Sequence, residues 1–504
     1  MRTGAAAIAL CLWAGLAVSG AHARVVRLEI GGTVPYGTFN GAAWVRTVGQ
    51  VVGELSPDEA IPGLDRADRN PKGLVSYASP FVLIHPRDPA RSNGALLFDV
   101  ANRGRGISHA LYNSPRAIPQ AVGSLEAGNG FLETRGFTTV MAGWELGLGI
   151  ELPGFAGPDG KRLYAEGVGL AVIRDLTDFL HHAARDDAGT PNPVAGAINR
   201  TLVVGYSQTA RLLKTMLIEG FNRAEGRRVF DGMHIQASAG GRAAVMGVIT
   251  GPQSSSFFTP RFSAPDWRGV HEAPFTWAEI VGAATARGEV PPKMLVTNMT
   301  TDYFSIRASL ARTGATGTAE PAIPENVRLY DVAGASHERS QAPGCEMPRD
   351  TLDWSPVMRA TLVNLDAWVG QNRPPPPTTL MPLEARPDDP VVLQAPAHLP
   401  GAVMQVPRRA EDGNFLGGVR LPDVEAPLGV YGQQNLPLSD RSCNLSGSFL
   451  AFTPAQIKER YADRAAYQER IRVAVRTLMQ QRFLLPSDAA VIIDAAAVVP
   501  GFGP

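Results

Sequence analysis

Residues 203–213, VVGYSQTARLL, join the end of an apolar run to a segment in which Leu212, Leu213, Met216, Leu217 and Phe221 recur at helical spacing. The order is strand, sharp turn, helix, with Ser207 at the turn. A serine there can cap the helix. It can also be a nucleophile, lifted clear of the strand end by a strained turn whose small neighbours avoid a clash. The helix N-terminus beneath it favours developing negative charge, and the backbone N–H of Gln208 is then an oxyanion donor. The usual pattern is G-x-S-x-G, and this chain has Thr209 at the last position.

Outward from this turn, short runs rich in β-formers alternate with helix-like segments. The strand candidates are 95–101, 137–144, 201–206, 233–238, 293–299 and 327–333. In 167–185, Leu170, Ile173, Leu176, Phe179 and Leu180 fall on one helical face, and in 357–369 Leu362, Leu365 and Trp368 do the same. This rhythm predicts an α/β core over 94–372, with a mostly parallel central sheet and crossover helices. Residues 24–93 alternate apolar patches with turn residues and predict a β-rich N-terminal segment joined to the core. RPPPP at 373–377 cannot continue a helix and marks a linker. Beyond it lies a Pro-rich C-terminal extension, 373–504, with one long helix predicted over 453–484 and Thr453 as its N-cap.

A serine hydroxyl needs a positioned base, usually histidine, which an acid orients. Four histidines follow Ser207: His234, His271, His337 and His398. His337 lies in VAGASHERS, a Gly-containing loop after the final core strand, where an α/β sheet places its site. His234 falls inside an apolar strand, His271 in the irregular segment 264–275, and His398 beyond the linker. Asp302 follows the preceding strand and is the candidate acid; it can also serve the start of the next helix. Asp331 lies within a strand and Glu338 is adjacent to the histidine, so both are poorer candidates. ANRGRG at 101–106 follows an early strand, as a second oxyanion donor requires, and nominates Asn102, Arg103 and Gly104. Arg103 or Arg105 can alternatively contact an anionic substrate group.

The 504 residues carry 47 basic and 47 acidic side chains, so no general field steers polyanions, and no local basic patch nominates nucleic acid as a partner. No metal-ligand spacing and no phosphate-cradling loop occurs, so no metal and no cofactor is expected. Residues 1–23 have the layout of a signal peptide: Arg2, an apolar run from about Ala5 to Val18, then Ala21 and Ala23. The expectation is an exported protein, periplasmic or secreted, with no stable membrane anchor after cleavage. Of three cysteines, Cys11 goes with the signal peptide, and Cys345 with Cys443 forms an even pair that permits one disulfide. The aromatic, Pro-rich stretch within 251–290 is a candidate lid. Nothing in the sequence indicates an oligomeric state.

VVGYSQTARLLK, ANRGRG, TNMTTDYFSIRASL and VAGASHE together resemble the alpha/beta hydrolase domain family of exported bacterial proteins, a branch of the α/β-hydrolase superfamily. The resemblance runs over most of the mature chain. It implies an α/β-hydrolase fold that is serine esterase-like, with Ser207 as nucleophile, His337 as base and Asp302 as acid, where relatives often carry Glu. Residues and resemblance together predict a carboxylic ester hydrolase acting on a small-molecule ester through an acyl-enzyme on Ser207. The alternatives are an acyltransferase or peptidase using the same residues, and a catalytically silent binding protein.

Overall fold

The computed structural model describes residues 24–113, 125–250, 272–338, 344–499 and 502. The predicted signal peptide, His271 and residues 251–271 of the candidate lid lie outside the described residues.

Two long strands, β1 (Arg24–Phe39) and β2 (Ala42–Leu55), form a hairpin whose two-residue turn is Asn40-Gly41. Both turn residues have positive φ, 46° and 72°. That is the geometry a two-residue hairpin needs, and Asn-Gly supplies it at little cost. β3 (Val75–Pro86) pairs antiparallel with β2 and, on its other side, with the strand Thr138–Ala142. The remaining sheet strands are β4 (Ala95–Asp99), β5 (Thr138–Ala142), β6 (Arg200–Tyr206), β7 (Gly232–Gln236), β8 (Lys293–Met299) and β9 (Val327–Val332). They complete one nine-stranded sheet in the order β1-β2-β3-β5-β4-β6-β7-β8-β9, and every pairing from β5 onward is parallel. All six core strands read from the sequence are present in this sheet.

Helices cover both faces of the parallel part, which is why its strands are apolar runs rather than alternating ones. Leu96 and Phe98 point into a cluster with α1 (Val168–His182) and α2 (Gln208–Ile218). All five residues of the predicted apolar face of α1 are buried there. Ala95 and Leu97 point the other way, into a second cluster with the buried α3 (Thr300–Ser305) and with Leu362, Leu365 and Trp368 of α4 (Ser355–Gln371).

The same second cluster takes in the residues beyond the proline run. Thr379 exchanges backbone hydrogen bonds with Leu329 and Asp331, and Val419 with Asp331 and Ala333, so the outer edge of β9 is covered. Thr453 does cap a helix, with a reciprocal bond to Gln456, but that helix ends at Arg460. The single long helix expected over 453–484 is two helices. Asp463 caps a new one, α5 (Arg464–Gln480), by accepting from the Ala466 N–H at 2.8 Å. An aspartate that bonds the backbone ahead of it starts a helix rather than continuing one, and Tyr461 turns inward to donate its hydroxyl to Pro427 O. α5 then buries Tyr467, Ile471, Val475 and Leu478 on the core. The last helix, α6 (Pro486–Ala497), is fastened to α4 by the Arg359–Asp488 ion pair at 2.6 Å. Cys345 and Cys443 form a disulfide, 98 residues apart in sequence. Closing a loop of that length stabilises the fold by about 4–5 kcal/mol in the chain-entropy account.

Candidate active site

The strand order turns about β4, with β5 on one side and β6 on the other. At such a reversal the flanking loops separate and leave a crevice beyond the carboxyl ends of the strands. Ser207 leaves β6 and the 102–105 turn leaves β4 at this crevice.

Ser207 has φ 56° and ψ −108°, a conformation that costs a non-glycine residue about 1–3 kcal/mol. Close packing enforces the turn. A Cβ on Gly205 would lie 2.6 Å from Thr209 O, so only glycine fits there. Thr209, the departure from the usual pattern, fits because its hydroxyl accepts from Tyr206 N–H at 2.9 Å and reaches Tyr206 O at 3.1 Å. The side chain that crowds the turn also ties it. Ser207 occupies the cap position of α2, yet its side chain makes no capping hydrogen bond. Its Oγ instead lies 3.0 Å from His337 Nε2.

His337 sits in the loop after β9, and its Nδ1 lies 2.6 Å from Asp302 Oδ1. Both side chains are buried, Asp302 at 0% and His337 at 2% exposure, so water does not compete for this contact. Asp302 is the third residue of α3, and its other oxygen accepts from Met299 N–H at 2.8 Å. One carboxylate thus serves the helix start and the histidine together. The Tyr206 hydroxyl donates to His337 O, and the Tyr206 ring stacks on Trp354 with centroids 6.1 Å apart. The residue before the serine therefore holds the backbone of the histidine.

The other candidates do not share these contacts. Asp331 is buried against Arg312, the Tyr303 hydroxyl and Met381 N–H. Glu338 N–H bonds Leu445 O. His234 is a core residue between the Tyr112 hydroxyl and Thr297, and burial pushes its pKa down to about 3. His398 is exposed in the extension. In the turn after β4, Asn102 departs from its expected part as an oxyanion donor. Its N–H donates to Arg105 O at 2.8 Å and its amide to Tyr206 O at 2.8 Å, so it shapes the turn and fastens it to the elbow. Arg103 and Gly104 stand at the tip with φ 50° and 74°, and Arg103 Nη1 bonds back to Asn102 Oδ1.

Two neighbours of the elbow escaped sequence reading. The Gln208 side chain, fully buried, donates to Glu145 Oε1 at 3.0 Å and ties the loop after β5 to the first residue of α2. No periodic pattern marks Glu145. Lys214, on α2, is buried with its ammonium 2.9 Å from Ala239 O, near three further carbonyls of residues 238–241, and over the Trp277 ring. Burial lowers its pKa to about 7. In the unfolded chain it titrates near 10.5, so between these values only the unfolded chain holds the proton, and stability rises with pH across that window. Relative to Lys214→Met, the wild type is expected to gain about 3 kcal/mol between about pH 7 and about pH 9.5. Thermal unfolding of both proteins over that range checks this; parallel curves would refute it.

Among the described residues no group of three or more His, Cys, Asp or Glu is placed to hold a metal ion, and no helix is long and apolar enough to cross a membrane. Residues 145–494 match the family model described as alpha/beta hydrolase domain. No curated protein matches the sequence. Among solved structures, similarity extends to a rice cell wall degrading esterase, LipA, from Xanthomonas oryzae, at 12% identity and a TM-score of 0.29, covering 61% of this chain and 90% of that one. It extends also to the esterase Est22, at 11% identity and a TM-score of 0.26, covering 56% and 71%. A putative acetyl xylan esterase from Bacteroides fragilis is similar at 13% identity and a TM-score of 0.27, covering 60% and 70%.

Proposed function

The chain belongs to the alpha/beta hydrolase domain family, and on that premise we propose that it is an exported serine hydrolase that cleaves carboxylic esters through an acyl-enzyme on Ser207. The observation that carries this reading is the unbroken run of contacts from Ser207 Oγ to His337 Nε2, and from His337 Nδ1 to Asp302. As Ser207 attacks the ester carbonyl, His337 takes its proton, and the Asp302 carboxylate stabilises the imidazolium that forms. The oxyanion is held by Gln208 N–H and by a backbone N–H of the Arg103-Gly104 tip. His337 returns the proton to the departing alcohol, and water, activated by the same histidine, then hydrolyses the acyl-enzyme. Export is supported by the leader-like residues 1–23 and by the disulfide, which persists in oxidising compartments.

The test is covalent labelling of the purified mature protein by a fluorophosphonate, followed by turnover of a panel of short-chain, aromatic and carbohydrate esters beside matched amides. Labelling that disappears in Ser207→Ala, with ester turnover exceeding amide turnover, supports the reading. A folded wild type that takes no label overturns it.

A further inference from the structure

The groups that place Asp302 and His337 are not confined to the sheet and its crossovers. Ser305, one turn beyond Asp302 in α3 and fully buried, donates its hydroxyl to Asn444 O at 2.6 Å and accepts from Gln434 Nε2 at 3.1 Å. Glu338, the residue after His337, donates its N–H to Leu445 O at 3.0 Å and forms a parallel bridge with Ser446. Asn444, Leu445 and Ser446 belong to the short turn of helix Arg441–Leu445 and its end. At the middle of that turn is Cys443, 1% exposed and bonded to Cys345, eight residues past His337. Asn435 adds a second fastening: its side chain bonds Met347 N–H and O, while its own N–H bonds Cys443 O. One turn of the C-terminal extension therefore touches both the helix carrying the acid and the loop carrying the base, and is covalently tied to the chain leaving that loop.

We infer that this turn is a positioning element for the Asp302–His337 pair and that the Cys345–Cys443 bridge is its redox control. With the bridge intact, Ser305 and Glu338 are held by a segment that cannot move away. With the bridge reduced, hydrogen bonds and the buried side chain of Leu445 still hold that segment, but the covalent part of the brace behind the 2.6 Å contact between His337 and Asp302 is gone. A misplacement of about 1 Å at reacting groups costs about 10²-fold in rate, far more than it costs in substrate affinity. The reduced chain keeps its fold and its substrate binding but turns over slowly. The chemistry balances with a dithiol: it delivers two electrons and two protons, the S–S bond breaks to give two cysteine thiols, and the reagent leaves as its own cyclic disulfide.

The inference rests on the serine-hydrolase reading for its turnover readout, and the experiment separates the two. The full mature chain is assayed oxidised, after dithiothreitol, and after reoxidation, with thiol titration and circular dichroism at each stage. Expected is a fall in kcat of about tenfold or more on reduction, with KM unchanged within about twofold, and recovery on reoxidation. A folded protein with both thiols titrated and kcat unchanged overturns it. Reduction that unfolds the chain overturns the redox control, and Ser305→Ala with the disulfide intact then decides the positioning role: the same loss of kcat at constant KM supports it, and wild-type kcat overturns it. Where the oxidised wild type cleaves no ester, that reading falls by itself, and the low-field proton resonance of the His337–Asp302 hydrogen bond takes over. Its loss in the reduced protein or in Ser305→Ala supports the positioning role; its persistence in both ends it.

Discussion

Ser207→Ala is expected to lower kcat for ester hydrolysis by about 10⁴-fold or more while leaving the fold and the melting temperature nearly unchanged. The alanine removes only the hydroxyl. Its oxygen makes no cap for α2, so no backbone group is left without a partner in the variant, and the strained φ of 56° is inherited. What disappears is the atom 3.0 Å from His337 Nε2. The residual rate expected is that left by the proposed oxyanion donors and by binding. Steady-state kinetics on an activated ester, with circular dichroism on the same preparation, check this. A loss below about tenfold would place the nucleophile elsewhere.

Asp302→Asn is expected to lower kcat by about 10³–10⁴-fold with little change in KM. The amide can still accept from Met299 N–H, so the start of α3 survives. The negative charge opposite Nδ1 does not survive, and an amide that donates toward the ring favours the tautomer with Nε2 protonated, which cannot take the serine proton. Asp331→Asn is the instructive contrast. Its carboxylate is fully buried and bonded to Arg312 and Tyr303, so breaking that pair should destabilise by about 3–5 kcal/mol while leaving the chemistry of the folded enzyme largely intact. A pair of variants in which the Asp331 change is the one that abolishes kcat at constant stability would reverse the assignment of the acid.

The six core strands and the two long amphipathic helices were legible because parallel strands buried on both faces leave continuous apolar runs, and covering helices leave an apolar stripe at helical spacing. The hairpin turn Asn40-Gly41 was legible in principle, since the dipeptide carries its own φ requirement. The split of the predicted helix at 453–484 was not. Its two halves share one apolar periodicity, and the break depends on where Asp463 and Tyr461 find partners. Lys214 could not be read as buried either, because a lysine on an amphipathic helix ordinarily faces water; its cage is made of carbonyls from a loop more than twenty residues away.

For the site, the order of Ser207, Asp302 and His337 was read from a turn between strand and helix, from loops at strand ends, and from the order of nucleophile, acid and base in the α/β-hydrolase fold. Choosing Asp302 over Asp331 also had a local basis, since one follows a strand and the other lies within it. Tertiary structure decided what local pattern cannot hold. It resolved Thr209, because a hydroxyl that bonds the turn's own backbone offsets the crowding of its side chain. It engaged the Asn102 N–H within its own turn. It also brought a segment more than one hundred residues past His337 against the helix that carries Asp302 and the loop that carries His337. Contacts between residues so far apart leave no periodicity and no spacing in a chain, because only the folded sheet brings their surfaces together.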